Sequence, residues 1–260
     1  MRFVIANQKG GCGKTTTTIN IAAVLAEIKK RKTLVIDMDP QANLTMGLGL
    51  SPGDLEKTVY NILVQNEKPE NVVKHTKIKN LDILPANIHL AGAEIDLVHT
   101  IGRESALEKA ISHFIENYEY TLIDAPPSLG LLTINSLVSA KNVLIPVQCE
   151  FYALAGLARL EETINLIKQR LKPELSIDGL ILTLYSPTKL ADDVVSEVKK
   201  HYGDKVFNTI IHKAVKFAEA PSHGIPGVLY APHTTVAEQY IALVNELEER
   251  VRFKQKGARK

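Results

Sequence analysis

A chain of 260 residues, 45% of them hydrophobic, is long enough to bury a full core, and its alternating apolar runs and helical patterns fit one α/β domain rather than two. Formal net charge is only +2, yet residues 251–260 hold Arg252, Lys254, Lys256, Arg259 and Lys260 with no acid, so the basic character sits at one end. No run of about 18 apolar residues is present, which excludes a membrane-spanning helix, and two cysteines with eight scattered histidines give neither a disulfide framework nor metal spacing and suit a reducing cytosol.

In chain order, residues 3–6 form a short apolar strand that begins at once and leaves no room for a signal peptide. The glycine-rich stretch 7–16 follows, then a helix over 15–28 with Ile19, Ala22, Ala23 and Ala26 on one stripe. Residues 33–37 and 120–124 read as buried strands that each end in an aspartate. Further strands are expected at 81–84, 142–147, 179–184 and 227–230, and helices at 104–116, 153–171, 191–202 and 235 to about 252. Such alternation implies right-handed crossovers and a mostly parallel twisted sheet with helices on both faces, a P-loop NTPase-like α/β fold occupying residues 1–250 with a basic tail at 251–260.

The stretch Asn7-Gln8-Lys9-Gly10-Gly11-Cys12-Gly13-Lys14-Thr15-Thr16 has the chemistry of a phosphate cradle. Gly10, Gly11 and Gly13 let backbone N–H groups approach a polyanion closely, and the helix behind them presents its unpaired N–H groups and positive dipole end. The general pattern G-x-x-x-x-G-K-[ST] is met except at its first position, where Gln8 stands five residues before Gly13 and an additional lysine, Lys9, follows it. A magnesium nucleotide also needs carboxylates at the ends of neighbouring parallel strands, because ligands of such sheets bind beyond the strands' carboxyl ends. Asp37 and Asp39 after the second strand, and Asp124 after 120–123, occupy those places.

The Lys-Gly-Gly-x-Gly-Lys-Thr variant resembles the deviant Walker A motif of the ParA/MinD family of ATPases. The segments 41–49, 146–154 and 218–224 are similar to those of its ParA/Soj chromosome and plasmid partition branch, so the resemblance spans residues 1–250. It implies an ATP- and Mg²⁺-dependent hydrolase that dimerises in its ATP state. Lys14 would neutralise the β/γ-phosphates, and Thr15 and Asp124 would hold Mg²⁺ with Asp37 in support. Asp39 would position the attacking water, and Lys9 would reach the partner subunit's nucleotide. It further implies non-specific binding of double-stranded DNA, a ParB-type centromere-binding partner that stimulates hydrolysis, and a cytoplasmic, nucleoid-associated location without stable membrane association. The nucleotide-binding set would be Lys9 to Thr16, with His212 and Ala214 at the base. The sequence departs from the family there: His212-Lys213-Ala214 replaces a proline-arginine-asparagine stretch, which leaves Lys213, with Lys216 and Lys189, as the DNA-contacting candidates.

Two local features admit other uses. The last helix places Val236, Tyr240, Leu243, Val244, Leu247 and Val251 on one stripe, a core-packing face or, as in the MinD branch, a membrane-lying one; Glu246, Glu248 and Glu249 on the polar side favour the core. Cys12 lies between two lysines at a helix start, a setting that can lower a thiol's pKa and make ATP binding oxidation-sensitive, although a small apolar filler is the favoured reading because many small residues would fit there. An iron–sulfur reductase shares the loop but needs bridging cysteines, and Cys149 is the one not committed to it.

Overall fold

Strands that are apolar on both sides must be covered on both sides, and every residue of the segments 33–37 and 120–124 is buried. The computed structural model describes residues 1–150 and 153–257. Its strands are β1 (Arg2–Ile5), β2 (Thr33–Asp37), β3 (Lys74–His75), β4 (Leu81–Leu84), β5 (Tyr120–Asp124), β6 (Asn142–Gln148) and β7 (Ser176–Thr183). They form one sheet in the order β3-β4-β2-β5-β1-β6-β7, parallel throughout except for β3, which pairs antiparallel at the edge.

The helices are α1 (Lys14–Ala23), α2 (Asn43–Gly47), α3 (Val59–Gln65), α4 (Ala93–Asp96), α5 (Ala106–Ile111), α6 (Leu131–Val138), α7 (Ala153–Arg170), α8 (Lys189–Tyr202), α9 (Val215–Glu219), α10 (Gly227–Tyr230) and α11 (Thr235–Gly257). Period-two alternation sends the strands' side chains into two cores. Val4, Leu34, Ile36, Ile123 and Val143 pack with α3, α5 and α6 on one face, while Phe3, Ile5, Val35, Leu122 and Leu144 pack with α1 and α11 on the other. The stripe from Val236 to Val251 is buried in the second core, Tyr240 stacking on Phe217 with ring centroids 5.6 Å apart. That stripe is a packing face.

Four boundaries differ from the sequence-based reading. Residues 227–230 are the short helix α10 rather than a strand: Pro226 starts the turn, the Val228 N–H donates to Asn20 Oδ1, and Gly227 lies so close to Phe217 that a Cβ there would come within 2.3 Å of the ring. A four-residue apolar run carries no period, and here a helix satisfies its neighbours. The helix after the loop ends in a π-helical turn, Val24–Ile28, and the one expected over 104–116 is confined to α5 between 3₁₀ turns. The basic end is also not a separate strand of chain. Helix α11 continues unbroken to Gly257, and Lys254 Nζ pairs with Asp178 Oδ1 at 2.6 Å; Arg259 and Lys260 lie outside the described residues.

Candidate nucleotide site

The carboxyl edge of the sheet gathers the residues that phosphate chemistry requires. Between β1 and α1 the chain turns through Gly11 (φ 72°) and Gly13 (φ 85°), left-handed conformations that a Cβ would strain. Space beside Gly10 and Gly11 is open: a Cβ on either would meet no atom within 4 Å, which leaves the cradle clear for an anion. The loop is fastened from behind. Asn7 Nδ2 donates to the Pro146 carbonyl (2.6 Å), Asn7 Oδ1 accepts from the Lys9 N–H (3.0 Å), and Thr183 Oγ1 donates to the Cys12 carbonyl (2.8 Å).

The two loop lysines do different things. Lys14 is only 7% exposed and folds back, its Nζ donating to the Lys9 carbonyl at 3.2 Å, an ammonium held over the open cradle. Lys9 reaches outward to Glu150, Nζ to Oε2 2.7 Å.

Register brings the strand-end carboxylates side by side, with Asp37 of β2 opposite Asp124 of β5. Asp124 Oδ2 accepts from Thr15 Oγ1 at 2.6 Å and Oδ1 from Thr18 Oγ1 at 3.0 Å. The pair Thr15 and Asp124 offers adjacent hard oxygens at the mouth of the cradle, a donor set that fits Mg²⁺ completed by phosphate and water oxygens. Asp37 is spoken for by protein donors, Oδ2 taking the Thr45 N–H (2.9 Å) and hydroxyl (2.7 Å) and Oδ1 taking the Asp39 N–H (3.1 Å), so it braces the site rather than opening onto it. Asp39, 8% exposed, caps the Gln41 N–H with Oδ1 at 2.9 Å.

Thr16 and Gly13 also border an apolar cavity of about 230 Å³ whose walls include His212, Ala214, Phe217 and Tyr240, so residues 200 positions apart in sequence meet next to the loop. The His212 ring lies 4.9 Å from that of Tyr185, and the His212 backbone N–H donates to Gln239 Oε1. A planar base set beside a phosphate cradle finds this kind of apolar slot. The segments 41–49 and 218–224 touch at this end as well: Gly49 and Gly224 pass so closely that a Cβ on Gly224 would lie 2.5 Å from the Gly49 Cα. Lys189, Lys213 and Lys216 are exposed, Lys213 donating its N–H to the Tyr185 carbonyl just past the end of β7.

Thr18, Thr45, Asn7 and Thr183 did not stand out in the sequence, because a threonine has no distinguishing pattern until its partner is known. Cys12 is fully buried, and burial pushes its thiol above the usual value despite Lys14, so it is a filler and not an activated thiolate. Cys149 is likewise buried and pushed up to about 11. Among the described residues no group of three or more His, Cys, Asp or Glu could hold a metal by itself.

Burial raises the Asp37 carboxyl from 3.8 to about 7, with the Asp124 charge adding to it, and raises Asp124 to about 6 against the pull of Thr15, Thr18 and Lys14. Both folded values lie above the unfolded one, so between about pH 4 and 7 the folded chain holds more protons, and this pair's contribution to stability falls as pH rises. Asp124→Asn, which removes one of the two charges, should therefore gain stability over the parent by about 1 to 2 kcal/mol more at pH 8 than at pH 5 in nucleotide-free urea melts. A pH-independent difference would mean that Asp124 is not carrying a disfavoured charge.

With this geometry in view, the comparisons with known proteins agree in kind. A family model described as an AAA domain matches residues 2–177. The sporulation initiation inhibitor protein Soj of Bacillus subtilis is 50% identical over 246 residues, covering 94% of this chain and 97% of that one. The chromosome-partitioning ATPase Soj of Treponema pallidum is 45% identical over 249 residues, covering 95% and 97%. Among solved structures, a cobyrinic acid a,c-diamide synthase from Mycobacterium smegmatis with bound ATP analogue and magnesium is similar at a TM-score of 0.85 and 34% identity, over 96% of this chain and 95% of that one.

Proposed function

This chain belongs to the ParA/Soj family of partitioning ATPases, and from that premise we propose that it is an ATP-operated dimer switch acting on DNA. Two subunits close over two Mg-ATP molecules, the closed pair binds double-stranded DNA without sequence preference, and hydrolysis reopens it. A ParB-type partner stimulates that hydrolysis, and the cycle works on the nucleoid in the cytoplasm.

The observation that carries this reading is the division of labour between the loop lysines. Lys14 is committed to its own cradle, while Lys9 projects from the loop toward the surface, where a second subunit's phosphates would need a cation. Held by Thr15 and Asp124, Mg²⁺ would supply the positive charge that offsets what develops on the phosphate oxygens. Thr15 and Asp124 hold its place, Lys14 neutralises the β/γ-phosphates, and Asp39 orients the attacking water. Closing two subunits adds their basic surfaces, Lys189, Lys213 and Lys216 on each, so DNA affinity rises with dimerisation. A switch from mostly free to mostly bound needs about 5.5 kcal/mol of differential binding, within reach of several added phosphate contacts. A MinD-like membrane role is disfavoured, since the stripe of α11 that would lie on a bilayer is buried.

The test is duplex DNA binding at several salt concentrations with ATP, ADP and no nucleotide, for the parent and Lys9→Ala. Binding that requires ATP and drops at least about tenfold in Lys9→Ala, a loss of 1.4 kcal/mol or more, is expected. Binding indifferent to nucleotide, or none, would overturn the reading.

A further inference from the structure

Three basic segments far apart in sequence meet at the amino edge of the sheet, the end opposite the nucleotide loop. The run Lys29-Lys30-Arg31-Lys32 leads into β2. It packs on one side against α11, where Lys29 and Arg31 both pair with Glu248 (3.7 and 3.4 Å), one turn before the exposed Arg252. On its other side lies the turn carrying Lys77 and Lys79, joined to it by the Thr33 N–H to Asn80 carbonyl bond (2.8 Å) and by Asn80 Nδ2 to the Ala26 carbonyl (3.4 Å).

Most of the carboxylates here are paired within this surface: Glu27 with Lys30, Glu119 with Arg31, Glu248 with Lys29 and Arg31, and Asp82 accepts from His75 and Tyr118, while Glu116 beside Tyr118 and Glu249 one turn before Arg252 stay exposed. Lys32, Lys77, Lys79 and Arg252 remain exposed without a carboxylate partner among the described residues, Lys32 lying 5.0 Å from the Tyr118 ring centre.

We propose that this edge, with Lys32, Lys77, Lys79 and Arg252 as its contacts, is a second binding face for the phosphate backbone of duplex DNA, separate from the Lys189, Lys213 and Lys216 surface at the carboxyl edge. The proposal rests on the DNA-binding reading above and extends it: one molecule would hold two duplex segments, one at each end of the sheet. A cluster of cations without carboxylate partners suits a polyphosphate. An anionic bilayer would also need bulky apolar residues among them. On this edge the large apolar side chains exposed among the described residues are Ile28, at 43%, and Met1, at 36%, while Phe253 lines the groove formed with Lys199 and Arg250.

The decisive experiment immobilises one duplex on beads and measures retention of a second, labelled duplex by the Mg-ATP-loaded protein across a salt series. Two variants are compared with the parent: Lys32, Lys77, Lys79 and Arg252 all to Gln, and Lys189, Lys213 and Lys216 all to Gln. The amino-edge variant is expected to bind the first duplex but lose retention of the second at least tenfold, and to weaken the salt slope of total binding by about 0.9 for each phosphate contact removed. Parent-like retention in that variant overturns the second face, and if the carboxyl-edge variant loses binding in the same assay the primary reading survives. Parent protein that binds neither duplex overturns both. Pelleting of the parent, but not the amino-edge variant, with vesicles containing phosphatidylglycerol while both variants retain the second duplex reassigns the edge to membrane and overturns the DNA proposal.

Discussion

Lys14→Ala is expected to weaken Mg-ATP binding by roughly 10²- to 10³-fold while leaving the fold intact. The ammonium is nearly buried, donates to the Lys9 carbonyl, and faces a cradle whose other donors are neutral N–H groups. Charge-assisted hydrogen bonds contribute about 1.5 to 3 kcal/mol each, so losing two phosphate contacts removes at least about 3 kcal/mol, and each 1.4 kcal/mol is tenfold in affinity. The substitution acts a second time through Asp124, whose carboxyl Lys14 helps to keep ionised; without it Asp124 titrates higher and holds Mg²⁺ less well near neutral pH. Titration calorimetry with ATP and Mg²⁺ at pH 7 and pH 8.5 would separate the two effects. The loss should be smaller at the higher pH, and a loss under threefold at both would remove Lys14 from the site.

The second large effect falls on turnover instead of binding. Asp39→Ala should lower kcat by roughly 10²- to 10⁴-fold, the range associated with a positioned acid–base group, with ATP affinity changed by less than about threefold. Asp39 is held at both ends of its residue: its N–H donates to Asp37 Oδ1 and its Oδ1 caps Gln41, which fixes the carboxylate and leaves Oδ2 without a protein partner among the described residues. A carboxylate so oriented is suited to hold water. Because it is negative, it contributes nothing favourable to triphosphate binding, and its loss is expected to trap the ATP-loaded form. Single-turnover hydrolysis and DNA release measured together provide the check: slow hydrolysis must be matched by slow release. Normal turnover would transfer the role to another group.

How much of this was legible beforehand follows from where each interaction lies along the chain. Strand β1, the loop and α1 are contiguous, and phosphate chemistry constrains them tightly enough that Gly13, Lys14 and Thr15 stood out by spacing alone. The aspartates at the ends of β2 and β5 were readable because a parallel strand announces itself by an unbroken apolar run. The stripe of α11 was readable as periodicity, and although core and bilayer ask for the same spacing, the acidic polar side, Glu246, Glu248 and Glu249, pointed to the core that the structure shows. Residues 227–230 misled because four apolar residues carry no period, whereas Cys12 is the filler the sequence favoured, its burial outweighing the neighbouring lysines.

Composition and local pattern therefore determined the fold class, the phosphate loop and the carboxylates beside it, all of which depend on residues a few positions apart. Tertiary structure alone decided the strand order that sets Asp37 opposite Asp124, the apolar slot joining Gly13 to His212, the outward reach of Lys9 to Glu150, and the meeting of residues 29–32, 77–79 and 252 on one edge. Those contacts span gaps of tens to hundreds of residues. Desolvation and charge pairing act through space, and only the folded chain says which groups share it.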